Sequence, residues 1–383
     1  MSATGKRLQA SPDWKPLKPL NPQAICDPGR RGSSRTQPGP GIRRDSPPLG
    51  RSRIIAASDG VPLSVRDYGS SRAPDHTVIL LHGCCLDQSS WDMQIAQLIR
   101  EWGNDIRIIS YDHRGHGDSA GAPMHTYRIE QLADDLATLL VALGVKGPLT
   151  LAGHSMGGMT ALAYLARSAS NRPVEPKSLV LVATAAGKLA NRGLGRLLAT
   201  PAVNILHALV QHTPHLLADE VVRALARPVW PALARCAGYA AGNGALAAVS
   251  AASISATPLT TKVGFLPSLR NYDQYHTLGA IAAATTVVAG GADKLTPPAH
   301  AHDLAAGIPG ATLVHQPGAG HMLLHDAPRL VTDAISRAIT RSGEPLTQLN
   351  IRHERPRWPA DRYRDTTSHL HCALADVGAA PGG

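Results

Sequence analysis

Near-continuous apolar runs recur along the chain at TVILLHG (77–83), IRIISYD (106–112), PLTLAGH (148–154), SLVLVATAA (178–186), TTVVAGG (285–291) and ATLVHQPG (311–318). Runs without polar alternation predict strands covered on both faces, as in a parallel sheet. Between them, apolar residues at helical spacing predict helices over 89–102, 127–144, 156–168 and 326–341, with a proline-started helix at 298–307. The stretch IIAASDGVPLSVRDYG predicts a hairpin turned at Asp59-Gly60. Strands alternating with helices give the fold class: α/β, with a doubly wound, mostly parallel sheet.

One interval breaks the rhythm. Residues 187–278 hold no clear strand, much Ala, Leu and Val, and prolines at 201, 214, 228 and 231. A helical cap inserted at the end of a strand is expected there, over the region where open α/β sheets bind ligands. Between 201 and 261 the only acids are Asp219 and Glu220, so its pocket side is expected to be apolar. The core is then 54–186 with 279–342. Residues 1–53, rich in Pro, Arg, Gly and Ser, are expected to be a disordered basic extension, and 343–383 a flexible polar tail.

Charge changes this picture little. The net +10 is concentrated in residues 1–53, which hold eleven Lys/Arg against three Asp/Glu, whereas 54–342 balance to +2. The folded part therefore offers no basic groove, and no specific nucleic-acid partner is expected. Five scattered cysteines without CxxC spacing predict neither a disulfide framework nor a metal site. There is no apolar stretch of 18 residues and no secretory pattern at the start, so a cytoplasmic protein without a transmembrane segment is expected.

Candidate chemistry begins at LAGHSMGG (151–158). Ser155 falls on a strand-to-helix turn flanked by Gly153 and Gly157, where side chains would crowd a sharp elbow. The alternative is a helix N-cap serine in a Gly-rich turn. A serine hydroxyl is a poor nucleophile without a base, itself oriented by a carboxylate. VVAGGADKLTPP supplies Asp293 after a buried strand, while the loop after 178–186 reads ATAAGK and has no acid. Turn capping is the competing role for Asp293. HQPGAGHMLLHDAP supplies His321 in a Gly-rich turn, with His315 and His325 as competitors.

Developing negative charge needs donors, and the backbone N–H of Met156 at the helix mouth is one. His82-Gly83 lets the chain turn so that the Cys84 N–H becomes the second. YDHRGHGDS (111–119), with Asp112 and Arg114, is expected to fix that loop through an Asp–Arg and hydroxyl network, while Cys84 and Cys85 serve as small lining residues.

With LLHG, YDHRGHGDS, AGHSMGG, GGADKLTPP and GAGHMLLHDAP in order, residues 54–342 resemble the α/β-hydrolase fold family. The pattern is most like its capped esterase, lipase and haloperoxidase-like branch. The resemblance implies Ser155 as nucleophile, His321 as base, Asp293 as acid, and Cys84 and Met156 as oxyanion donors. It also implies a carboxylic ester hydrolase working through an acyl-enzyme on a small acyl or apolar substrate, with no cofactor and no metal. Carbon–carbon hydrolase, thioesterase, acyltransferase, cofactor-free haloperoxidase and non-catalytic ligand binding remain open alternatives. Serine rather than aspartate at 155 argues against carboxylate-nucleophile chemistry.

Overall fold

Eight strands form one sheet: β1 (Arg51–Ala56), β2 (Pro62–Tyr68), β3 (His76–Leu81), β4 (Ile106–Tyr111), β5 (Leu149–His154), β6 (Ser178–Val182), β7 (Ala284–Gly290) and β8 (Thr312–Gln316). The computed structural model describes residues 50–69, 74–212 and 252–342 of the chain, all within the unit Pro47–Gly383. Residues 1–49 of the expected N-terminal extension, the tail 343–383, and 213–251 of the expected cap, with Asp219 and Glu220, lie outside the described residues.

The spatial order is β1-β2-β4-β3-β5-β6-β7-β8. β1 and β2 are antiparallel, β2 meets β4 antiparallel, and every pairing from β4 to β8 is parallel. After β3 the chain moves to one side for β4, then returns to the other side of β3 for β5. That reversal opens a crevice at the carboxyl ends of β3 and β5, where open α/β sheets place their ligands.

Period-two alternation divides the core between two faces. Ile79, Leu81, Leu151, Leu179 and Leu181 face helices α2 (Ile129–Ala142) and α3 (Met156–Ala166). Val78, Leu80, Ala152, Val180 and Val182 face α1 (Asp92–Trp102) and the last helix, Pro328–Ser342. β3, β5 and β6 are buried at every position, which is why their sequences carry no polar alternation. Each fully buried Leu, Ile or Val contributes about 1.5–3 kcal/mol relative to exposure.

Two boundaries differ from expectation. β1 begins at Arg51, three residues inside the span assigned to the tail, because RSRIIA pairs with β2 despite its exposed surface. β6 ends at Val182 rather than 186: Ala183 adopts φ +46, and Ala185 and Ala186 are buried off the ladder.

The described parts of 187–278 hold short helical turns and the helices Pro201–His212, Leu259–Gly264 and Leu266–Asn271, with no strand longer than the single bridge Gly187–Asp273. They bind to loops at the carboxyl ends of the strands. Ser253 donates to Asp87 at 2.6 Å, Thr261 donates to the Tyr127 hydroxyl at 3.1 Å, and Ser268 accepts from Ile129 N at 3.0 Å. Phe265, the chain's sole Phe, is fully buried against Tyr127 and His116. No described helix is long and apolar enough to cross a membrane.

Candidate active site

Ser155 occupies the turn from β5 into α3 with φ 52 and ψ −117, a conformation rare for any residue but Gly. Neighbouring contacts leave room for nothing but glycine on either side. A Cβ at Gly153 would lie 2.5 Å from the backbone of Gly157 and Gly158, and one at Gly157 would overlap the carbonyls of Leu81 and His82. The elbow is further held by Thr184, whose hydroxyl donates to Ser155 O at 2.6 Å. The Ser155 side chain makes no capping bond to its helix.

Its hydroxyl instead meets His321. Ser155 Oγ lies 3.0 Å from His321 Nε2, and His321 Nδ1 lies 2.8 Å from Asp293 Oδ2. A carboxylate accepts, so Nδ1 carries the proton and Nε2 is the open acceptor for the serine O–H. Asp293 and His321 are almost fully buried. Burial raises the Asp293 pKa, but the charge of His321 and hydrogen bonds from His321 and Thr296 outweigh it and hold the carboxyl below its ordinary range. Asp293 also caps its own turn: Oδ1 accepts from Leu295 N at 2.8 Å and Thr296 N at 2.9 Å. Oδ2 is shared by His321 Nδ1 and the Thr296 hydroxyl, which donates at 2.7 Å. His315 lies on β8 and His325 in the short helix Leu323–Asp326.

The loop after β3 adjoins the elbow, since a Cβ at Gly83 would lie 3.2 Å from Ser155 Cβ and 2.8 Å from His154 Nδ1. Two neutral histidines shape this loop. His82 Nδ1 donates to Gly83 O at 2.8 Å and Nε2 accepts from His113 N at 2.9 Å. His116 Nδ1 donates to Arg114 O at 3.0 Å and Nε2 accepts from Cys85 N at 3.1 Å. Burial pushes His82 down, and His116 down to about 3, so both rings stay uncharged. Gly83 O accepts from Leu86 N at 3.2 Å, closing the turn that contains Cys84. Met156 opens the first turn of α3, where a helix offers its N–H groups no acceptor.

Asp112 and Arg114 support the loop separately rather than as one pair. Asp112 accepts from Gln88 N at 2.7 Å, Gln88 Nε2 at 2.9 Å and Asp118 N at 2.9 Å, and Ser119 Oγ donates to Asp112 O at 2.6 Å. Arg114, fully buried, spans Asp135 at 2.6 Å and Asp59 at 2.8 Å. The expected Asp–Arg network exists, but its acids come from α2 and the β1–β2 turn.

Sequence reading passed over His154. Its Nε2 donates to His321 O at 2.9 Å, the two rings pack at a tilt of 50° with centroids 5.1 Å apart, and burial drives its pKa down to about 3. A neutral histidine thus ties the elbow to the loop that presents His321. Its signal was a polar residue closing an otherwise apolar strand.

Residues 76–328 match the family model described as the alpha/beta hydrolase fold. An AB hydrolase superfamily protein of Bacillus subtilis is 27% identical over 74% of this chain and 97% of its own length. A non-heme haloperoxidase of Rhodococcus erythropolis is 33% identical over 31% of this chain, and a bifunctional esterase/perhydrolase of Acinetobacter calcoaceticus is 32% identical over 33%. Those two matches span 40% and 43% of the relatives' own lengths. Among solved structures, a hydrolase from Pseudomonas aeruginosa is similar with a TM-score of 0.57 and 28% identity, covering 76% of this chain and 98% of that one. The chain belongs to the α/β-hydrolase fold family.

Proposed function

We propose that this protein is a serine hydrolase that cleaves carboxylic esters of small acyl or apolar substrates through an acyl-enzyme. One observation carries the reading: the Ser155 hydroxyl, on a strained elbow, is not used as a helix cap and is hydrogen-bonded to a histidine whose other nitrogen is held by a buried carboxylate.

In this mechanism Ser155 Oγ attacks the ester carbonyl while His321 Nε2 takes its proton. Asp293, kept ionised, orients the imidazole and stabilises its protonated form. Charge developing on the carbonyl oxygen is met by the N–H groups of Met156 and Cys84. Removing one such donor typically slows turnover by about a hundredfold or more. His321 then returns the proton to the leaving alcohol, and water repeats the cycle to release the acid. Residues 187–278 act as a helical cap, and their contacts with the loops at Asp87 and Tyr127 support that role.

The relative named esterase/perhydrolase agrees with ester cleavage. A p-nitrophenyl ester panel of increasing acyl length tests it. Chromophore release by the wild type and its loss in Ser155→Ala is the expected result; binding without release of acid and alcohol overturns the reading.

A further inference from the structure

The loop after β3 carries two adjacent thiols whose sulfurs the proposed hydrolysis does not use. Cys84 Sγ and Cys85 Sγ lie 3.7 Å apart and both are free. Cys84 is partly exposed and Cys85 buried, so the pair is reached from the Cys84 side. Its backbone is braced. Cys85 adopts φ +61, its N–H is held by His116 and its carbonyl accepts from Thr257 at 3.4 Å. The Cys84 hydrogen bond, helped by the charge of Lys262, holds the Cys85 thiol below its ordinary range in spite of burial.

The sulfur separation discriminates between two chemistries. A disulfide needs sulfurs about 2.05 Å apart, so the braced turn would have to give way by well over an ångström. A thiophilic centre held at about the length of a zinc–thiolate bond, 2.3 Å, spans the present gap at a near-tetrahedral angle of about 107°. A narrower, pyramidal angle at such a centre asks the sulfurs to close by far less than a disulfide would. Two thiolates do not complete a zinc site, which takes three or four protein ligands. Among the described residues no group of three or more His, Cys, Asp or Glu accompanies them. The donor set suits a soft centre whose remaining valence is filled by its own substituent.

We propose that Cys84 and Cys85 form a bidentate site for monosubstituted trivalent arsenicals, R–As=O. Two S–H bonds and the arsenic–oxygen bond are exchanged for two arsenic–sulfur bonds, and the oxygen leaves with both protons as water. No oxidation state changes. The adduct lies on the loop whose Cys84 amide is assigned to the oxyanion, so ester turnover stops; that consequence rests on the proposed function, while the binding does not.

Full-length protein treated with phenylarsine oxide and digested with trypsin tests the site. The tryptic peptide 73–100 contains both thiols and no other cysteine. It should carry one phenylarsenic group, and turnover should fall by about a hundredfold or more, the scale of a lost oxyanion donor. Dithiothreitol should reverse both changes and excess glutathione neither. Cys84→Ser and Cys85→Ser should each lose retention against glutathione. Arsenic confined to another peptide, or displaced from 73–100 by the monothiol, overturns the site. Retention on 73–100 with undiminished turnover overturns the inhibitory placement. If untreated protein cleaves no ester, the hydrolase reading fails, and peptide mass still decides the binding.

Discussion

His321 Nε2 and Ser155 Oγ meet at 3.0 Å although 166 residues separate them in the chain. The contact is made by two loops at the same end of the sheet, one leaving β5 and one leaving β8. Its direction follows from the far side of the ring, where Asp293 takes the Nδ1 proton and leaves Nε2 open.

Asp293→Asn should lower kcat by about four orders of magnitude, as loss of the orienting carboxylate favours the wrong imidazole tautomer, with the fold retained by circular dichroism. The variant also loses a pH dependence. The Asp293 carboxyl is held below 3.8, so its contribution to stability is complete above that pH and lost as pH falls below it. Acid unfolding curves of wild type and Asp293→Asn should converge at the acid end; parallel curves contradict the assignment.

Buried neutral histidines set a second acid limit. Burial drives His154 and His116 to about 3, and His76 and His300 to about 4, from 6.5. On unfolding each takes up a proton below pH 6.5. Their share of stability is therefore whole above 6.5 and declines on acidification by about 1.4 kcal/mol per pH unit per group. Among the described residues neither ring nitrogen of His300 has a hydrogen-bond partner, so His300→Leu should stabilise at pH 7 by about 1 kcal/mol. It should also flatten the slope between pH 6.5 and 5 in urea titrations. An unchanged slope contradicts this.

How far the fold was legible depended on whether a feature repeats. Parallel strands announce themselves because both faces are covered, as in HTVILL and LTLAGH, and Ser155, Asp293 and His321 follow β5, β7 and β8 in chain order. Single long-range partners leave no period. Nothing near Arg114 points to Asp59, 55 residues earlier, or to Asp135, 21 residues later, and nothing marks His154 as the bridge to His321 O. Strand ends blurred for another reason: Ala183, Ala185 and Ala186 are buried in the core beyond the last paired residue, Val182, and only Thr184 among them is polar.

Asp135→Asn should destabilise the protein by about 3–5 kcal/mol, since it strips a fully buried arginine of its buried partner. The exposed pair Arg172–Glu175 makes the contrast, and Glu175→Gln should cost no more than about 1 kcal/mol. Chemical unfolding of the two variants side by side reads the difference; equal effects contradict the burial argument.

His154→Gln preserves a donor near the Nε2 position, whereas His154→Leu removes it. The leucine variant should lose about tenfold or more in kcat with KM little changed, and glutamine should recover most of it. Equal loss in both would mean that His154 serves packing alone.

A fluorophosphonate probe followed by intact and peptide mass reads the nucleophile directly. Wild type should gain a single adduct on Ser155, His321→Ala should label far more slowly, and Ser155→Ala not at all. Labelling that persists in Ser155→Ala, or that lands on another residue of the folded wild type, would contradict a mechanism built on this serine.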